Sequence, residues 1–151
     1  SRFYTLDPSS NQIFRHQISA SGLGAGTPWI EDPNLNINNG VSIVVDGSVY
    51  LLENYGAIKE LYQGKAIDFG LEEISTKLDS GLKIWTDDTI KNLYILDAKG
   101  KRLVQFDKNG NLKNQYTSDK FNDLKDFTVS EKDKKAWLLA GNNLFEIEIN
   151  L

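Results

Sequence analysis

The chain has 151 residues, enough for one domain with a buried core, and its 40% hydrophobic and 25% charged content is typical of a globular protein. A formal net charge of -4 argues against a nucleic-acid-binding surface, which requires a concentrated basic face. The absence of cysteine excludes disulfides, thiolate nucleophiles and cysteine metal sites, and no apolar run is long enough for membrane insertion within this chain.

The sequence contains no methionine and opens at SRFYTLD, which already lies inside an apolar stretch. We therefore expect the chain to be an excerpt or a processed fragment of a longer protein. Any targeting segment would then lie upstream of it. The compartment stays undetermined, and an extracytoplasmic position within a larger protein is one expectation.

Four copies of one short pattern follow one another along the chain. In each copy a predicted strand carries an aromatic residue and, two positions later, a leucine: Tyr4 and Leu6, Tyr50 and Leu52, Tyr94 and Leu96, Trp137 and Leu139. The aromatic positions 4, 50, 94 and 137 are spaced by 46, 44 and 43 residues. A period of this size is typical of the blades of a β-propeller, each of which holds four strands.

The remaining strands are predicted around these four. In chain order the predicted strands are 3–7, 13–18, 41–47, 49–53, 58–62, 66–69, 82–88, 93–97, 103–106, 112–117, 124–130, 136–140 and 144–149. Between them lie residues that tolerate tight turns, such as Lys99-Gly100 and Asn109-Gly110. Residues 22–40 are rich in Gly, Asn and Pro and are predicted as a long loop that carries one poorly defined outer strand.

One segment permits two interpretations. Ile67, Leu71, Ile74 and Leu78 are spaced as on one face of a short amphipathic helix. The repeat instead predicts the end of an outer strand followed by a loop, and we favour this second interpretation.

The fold class is therefore all-β, a single β-propeller domain with blades at about 1–38, 39–80, 81–120 and 121–151. The first repeat begins at its second strand and the last ends at its third, so the chain supplies about three and a half blades. An open arc would expose apolar blade faces at both ends, and such patches usually mark interfaces. Three resolutions stay open: an excerpt of a larger propeller, a homo-oligomer of two arcs that completes a ring of about eight blades, or an imperfect four-bladed ring.

The third repeat resembles the NHL-type propeller blade. LYILDAKGKRLVQFDKNGNLKNQY, residues 93–116, matches that pattern at Asp97, Arg102, Leu103, Phe106, Asp107 and Gly110. The first repeat fits less well, with Asp7, Asn11 and Ile13, and the second and fourth replace the strand-end Asp by Glu53 and Ala140. The resemblance implies a rigid platform that binds proteins or ligands, although some relatives are metal-dependent lactonases or lyases.

Several residues are of types that could bind a metal or act in catalysis. His16 is the only histidine and is expected to be a solvent-facing side chain on a strand rather than a general base or metal ligand. Asp107, Asn109 and Asn111 resemble the start of a calcium loop, but Leu112 and Ser118 stand where that loop needs Gly and Glu, which favours a hairpin turn.

Asp46, Asp87 and Ser130 stand at equivalent strand ends, where a propeller hydrolase would gather metal ligands. Two carboxylates and one hydroxyl make a weak metal site, because Asp is also common where turns begin. The charged segment 131–135 is expected to be a solvated hairpin tip. Of the three tryptophans, Trp85 and Trp137 are predicted to pack between blades, and Trp29 is predicted to be the most exposed.

The sequence thus predicts a non-enzymatic β-propeller module that binds a protein or a small ligand, with no catalytic, cofactor-binding or metal residues assigned and no nucleic-acid partner. Two alternatives are a metal-dependent propeller hydrolase of the lactonase type and a structural or sensor domain of a larger cell-envelope protein.

Overall fold

The computed structural model of the chain describes residues 2–80 and 82–151, and it is all-β, as predicted. Ser1 and Gly81, the first residues of the predicted first and third blades, lie outside this description. Within the described residues the only helix is a single 3-10 turn at Pro8–Ser10, so no helix there is long and apolar enough to cross a membrane.

The strands form four antiparallel sheets, which we number as blades 1 to 4. Blade 1 contains β1 (Arg2–Asp7), β2 (Gln12–Ser19) and two short strands that both pair with β2, β3 (Gly22–Leu23) and β4 (Thr27–Pro28). Blade 2 contains β5 (Gly40–Asp46), β6 (Ser48–Glu53), β7 (Ile58–Tyr62) and β8 (Lys65–Ile67). Blade 3 contains β9 (Leu82–Trp85), β10 (Asn92–Asp97), β11 (Arg102–Asp107) and β12 (Leu112–Thr117). Blade 4 contains β13 (Leu124–Ser130), β14 (Lys135–Ala140) and β15 (Asn143–Glu148).

Successive blades meet along their inner strands: β1 contacts β5, β5 contacts β9, and β9 contacts β13. Within blades 2, 3 and 4 each strand pairs with the next one in the chain. This succession of antiparallel sheets is the architecture of a β-propeller and confirms the predicted fold class.

Each blade presents alternate residues of its second strand to its two neighbours. In blade 2, Tyr50 and Leu52 join the hydrophobic cluster shared with blade 3. Val49 and Leu51, on the opposite side of β6, join the cluster shared with blade 1. We call the side that meets the next blade the forward face and the other side the backward face. In blades 2 and 3 the repeated aromatic residue and leucine are thus forward-facing core residues.

The described residues form three hydrophobic clusters, one at each junction between successive blades. Blades 1 and 2 share Ile13 and Leu51, blades 2 and 3 share Leu52 and Phe106, and blades 3 and 4 share the cluster that includes Leu138. No cluster of these residues joins blade 4 to blade 1. The core is therefore distributed over three interfaces between sheets, each of which packs a forward face on a backward face.

The ambiguous segment is strand followed by loop, and the helical interpretation of residues 67–78 is wrong. Strand β8 ends at Ile67, and residues 68–80 contain no helix or strand. Hydrogen bonds to blade 3 take the place of helical ones: Glu72 N donates to Gly110 O at 2.8 Å, and Leu112 N donates to Glu72 Oε2 at 2.8 Å. The outer edge of blade 3 thus fixes the path of this loop.

A buried ion pair in blade 3 also holds that loop. Arg102 Nε donates to Asp97 Oδ2 at 2.8 Å, and both side chains are almost fully buried. The remaining guanidinium nitrogens donate to Gln115 Oε1 at 2.7 Å and to the carbonyl oxygens of Thr76 and Lys77. The guanidinium therefore joins two strands of blade 3 to the loop after blade 2.

The Asn109-Gly110 turn between β11 and β12 is confirmed. Gly110 has φ of +88° and packs so closely that a Cβ atom would lie 2.1 Å from Gly70 O. Asp107 Oδ1 accepts hydrogen bonds from the backbone N–H groups of Asn109 and Asn111, both at 2.9 Å. The polar side chains of this segment therefore stabilise a hairpin turn.

Candidate functional site

The forward face of blade 4 carries the arrangement that is buried in blades 2 and 3. Trp137 and Leu139 lie on β14, and Glu146 and Leu144 stand directly opposite them on β15. The four equivalent positions in blade 3 are Tyr94, Leu96, Gln105 and Leu103. Blade 4 therefore has the same set of side chains, one aromatic, two aliphatic and one polar, on the face that in blade 3 packs on the next blade.

The exposure of this face differs sharply from that of its equivalents. Leu103 is 0% exposed because blade 4 covers it, whereas Leu144, at the same place in the repeat, is 68% exposed. Trp137 and Leu139 are only half-buried. Apolar side chains at positions that belong to the core in blade 3 thus lie at the molecular surface in blade 4.

The backward face of blade 1 is the second uncovered blade surface. Phe3 and Thr5 of β1 stand opposite His16 and Phe14 of β2. Phe3 is 47% exposed, and Ile18, farther along β2, is also exposed. None of these five side chains is acidic or strongly basic. We call this surface and the forward face of blade 4 the two end faces.

A carboxylate at the rim of the blade 4 end face binds two neighbouring side chains. Lys135 Nζ and Trp137 Nε1 donate hydrogen bonds to the two carboxylate oxygens of Glu146 at 2.6 and 3.0 Å. The hydrogen bond from Lys135, followed by that from Trp137, lowers the pKa of the Glu146 carboxyl. The indole is thereby oriented across the face, with its polar edge already satisfied.

His16 lies on the blade 1 end face, where neighbouring residues satisfy both ring nitrogens. Nδ1 lies 3.0 Å from Gly24 O and Nε2 lies 2.9 Å from Thr5 Oγ1. Because a carbonyl can only accept, Nδ1 carries the proton in the neutral ring and Nε2 accepts from the threonine hydroxyl. The side chain is half-buried rather than solvent-facing, since Gly24 and Gly26, between β3 and β4, lie close to the ring.

The three strand-end candidates are engaged in other contacts. Asp46 forms an ion pair with Lys108, whose ammonium group also donates to Asp87 O at 2.9 Å. The Asp87 carboxylate instead accepts from the N–H and hydroxyl groups of Thr89, at 2.7 and 2.6 Å, as in a turn. Across residues 2–80 and 82–151 no group of three or more His, Cys, Asp or Glu side chains is placed to hold a metal ion.

Ser130, the third strand-end candidate, belongs to the hairpin tip. Its hydroxyl donates to Asp133 Oδ2 at 2.7 Å and accepts from Asp133 N at 3.2 Å. Lys132 and Lys134 are exposed, as expected for a solvated tip. Glu131 is the exception: it is buried and faces blade 3.

The exposure predicted for the tryptophans is wrong in two cases. Trp29 is half-buried and packs edge-on against Tyr4, with ring centroids 5.6 Å apart, because its backbone N–H bonds to Ile13 O and draws the loop onto blade 1. Trp85 is 38% exposed, because strand alternation gives the interior side of β9 to Leu82 and Ile84. Trp137 keeps its forward-facing position but has no blade over it among the described residues.

A cleft lies beside the junction of blades 2 and 3. It has a volume of about 430 Å³ and is bounded by the β6–β7 turn, the loop after β8 and the side chain of Phe106. Its lining is mainly apolar, with Glu73 and Lys77 among its few charged side chains. The carbonyls that Arg102 binds, at Thr76 and Lys77, belong to the same loop, so the buried ion pair also shapes this cleft.

Two turn carboxylates make the stability of the fold dependent on acid pH. Hydrogen bonds from Asn111 and Thr89 lower the pKa values of Asp107 and Asp87 respectively. A depressed pKa in the folded state stabilises the protein above the unfolded value of about 3.9, and that stabilisation is lost as pH falls through the folded pKa. We expect the urea concentration at the unfolding midpoint to decrease as the pH is lowered from 5 to 2.5. The decrease should be smaller in Asp107→Ala. The control is Asp88→Ala, at the exposed neighbour of Asp87, which should keep the pH dependence of the wild type. An unchanged pH dependence in Asp107→Ala would contradict the stabilising role of the Asp107 carboxylate.

Comparisons with solved structures support the fold. A chain of a nidogen/laminin complex matches with a TM-score of 0.66 and 11% identity over 93% of this chain and 56% of that one. Virginiamycin B lyase from Staphylococcus aureus matches with a TM-score of 0.57 and 16% identity over 100% of this chain and 53% of that one. A streptogramin B lyase matches with a TM-score of 0.55 and 12% identity over 99% of this chain and 52% of that one.

These likenesses define the class of protein as a β-propeller, and at such low identity they show the fold alone. The chain spans about half the length of the solved structures it matches. No family model and no curated protein sequence matches it.

Proposed function

We propose that this chain is a non-enzymatic β-propeller module that binds a protein partner through its end faces. One observation carries the proposal: Trp137, Leu139 and Leu144 repeat the buried forward-face pattern of blades 2 and 3 at the molecular surface. Apolar patches of this kind, rimmed by polar groups, are typical of protein interaction sites.

The composition of the blade 4 end face suits a protein partner better than a small molecule. An aromatic residue and two leucines lie at its centre, and the Lys135–Glu146 pair lies beside them. Interfaces concentrate binding energy in such central aromatic residues and place charged groups at the rim. The face is a sheet surface, with no enclosing walls to surround a small ligand.

One of the comparisons supports a protein partner. The first solved neighbour is a chain of a complex between two proteins, nidogen and laminin, and its fold extends over 93% of this chain. We further propose that the blades are of the NHL-like type. In the best-matched repeat the Asp97 and Arg102 positions form the buried ion pair that closes the β10–β11 hairpin, which gives this part of the pattern a structural role.

A photo-crosslinking amino acid at position 144 tests the proposal. In cells that produce the chain, we expect a covalent adduct whose second protein is identified by mass spectrometry, and we expect Leu139→Glu to abolish it. The matched control carries the same amino acid at Tyr62, an exposed residue of blade 2 that lies away from both end faces. No adduct at position 144, or equal adducts at both positions, would overturn the proposal.

A further inference from the structure

The three junctions inside the chain all use the same pairing of surfaces. The forward face of blade 1 packs on the backward face of blade 2, and the same relation joins blade 2 to blade 3 and blade 3 to blade 4. Two faces remain, the forward face of blade 4 and the backward face of blade 1. They offer the same pairing of a forward with a backward face, although no described strand of blade 1 is equivalent to β5, β9 or β13. Leu144 on the first face and Phe3 on the second are both exposed.

We propose that the partner is a second copy of this chain, bound head to tail, so that each blade 4 packs on the blade 1 of the other copy. This inference rests on the proposed function and names its partner. A head-to-tail contact either closes into a ring or continues as a filament. Two copies related by a two-fold axis form both junctions at once and give about eight blades, within the known range of 4 to 8.

The chemistry of the two end faces fits this contact. Trp137, Leu139 and Leu144 would meet Phe3 and a backward face whose other members are Thr5, Phe14, His16 and Ile18. The Glu146 carboxylate is already paired with Lys135, so the contact would not bury it as an isolated acid. Both hydrogen-bonding positions of His16 are also satisfied within its own blade.

One occupant would cover two different surfaces, the forward face of blade 4 and the backward face of blade 1. A partner unrelated to a blade would have to imitate two different sheet faces in order to cover both ends.

The test measures the mass of the whole chain in solution by light scattering after gel filtration, over a concentration series. We expect a species of twice 17.0 kDa that dissociates on dilution. Leu144→Glu on the forward face and Phe3→Glu on the backward face should each give a monomer, because either change places a charge in both junctions of the ring. Tyr62→Glu, which alters an equally exposed aromatic residue away from both faces, should leave the mass unchanged.

Mixing the two monomeric variants tests the head-to-tail arrangement specifically. A mixed pair contains one junction in which both faces are unaltered, so a two-chain species should reappear, with weaker affinity than the wild type. Circular dichroism of each variant shows that it is folded. A face-to-face dimer through blade 4 alone would leave Phe3→Glu dimeric, and that result would overturn the proposal.

A wild-type chain that stays monomeric at every concentration would also overturn it. If crosslinking at position 144 then captured a different, identified protein, the proposed function would stand and only the second copy would be wrong. If neither experiment gave a partner, both proposals would fail.

Discussion

Replacing Arg102 by alanine is expected to lower the free energy of unfolding by about 3 to 5 kcal/mol, the range for removing one partner of a buried ion pair. The substitution leaves the Asp97 carboxylate, which is almost fully buried, with the backbone N–H of Gly100 at 2.9 Å but without the guanidinium. It also removes the donors to the carbonyl oxygens of Thr76 and Lys77. Urea unfolding followed by circular dichroism measures the loss.

Two further variants sharpen this experiment. Arg102→Lys keeps the charge but cannot donate to Asp97, Gln115 and the two carbonyls together, so it should recover only part of the stability. The exposed neighbour supplies the control, Lys101→Ala, which should change stability by less than about 0.5 kcal/mol. In Arg102→Ala the loop after β8 should also become sensitive to proteases in the native state. A loss below about 1 kcal/mol would contradict the role of the ion pair.

Glu131→Ala is expected to lower the free energy of unfolding by about 3 kcal/mol, because it leaves several donors of blade 3 unpaired. The carboxylate accepts from the backbone N–H groups of Lys91 and Asn92 at 2.8 and 3.2 Å, from Asn92 Nδ2 at 2.6 Å and from Tyr94 OH at 3.1 Å. Burial, followed by the charge of Glu131, raises the pKa of Tyr94, so the phenol stays protonated and donates. For a chain of this size we expect the melting temperature to fall by roughly 6 to 12 °C.

The control for this second prediction lies next to it in the chain. Lys132→Ala changes an exposed residue of the same hairpin tip and should leave the melting temperature nearly unchanged. Glu131→Gln keeps the shape but turns an amide N–H₂ toward one of the donors, so it should also destabilise the protein. Melting temperatures equal to that of the wild type in both Glu131 variants would show that the hydrogen bonds from blade 3 to the Glu131 carboxylate do not stabilise the fold.

The repeat predicted the fold because its signal is local. An aromatic residue and a leucine two positions apart lie on the same side of a strand, so Tyr50 and Leu52 mark a forward face in sequence as they do in space. The same rule placed Trp137 on a face built for packing between blades. The sequence also predicted that an open arc would expose apolar faces at both ends, and Phe3 and Leu144 lie on those faces.

The burial of two side chains could not be predicted from the sequence, because it depends on contacts between distant parts of the chain. Glu131 reads as one charge in a solvated tip, and only the packing of blade 4 on blade 3 brings it to donors about 40 positions earlier. The Gly- and Pro-rich loop predicts that Trp29 is the most exposed of the three tryptophans, yet hydrogen bonds to β2 hold its loop on blade 1. Local composition carries no information about either contact.

The most direct test of the end faces compares two thiols placed at the same position of the repeat. The chain has no cysteine, so Leu144→Cys and Leu103→Cys each introduce a single reactive group. We expect the thiol at position 144 to react in dilute solution as fast as an unfolded control and to become protected as the protein associates, whereas the thiol at position 103 should react only through unfolding. Equal protection of both thiols at the lowest concentration would show that the chain already covers its own blade 4, and would contradict the account.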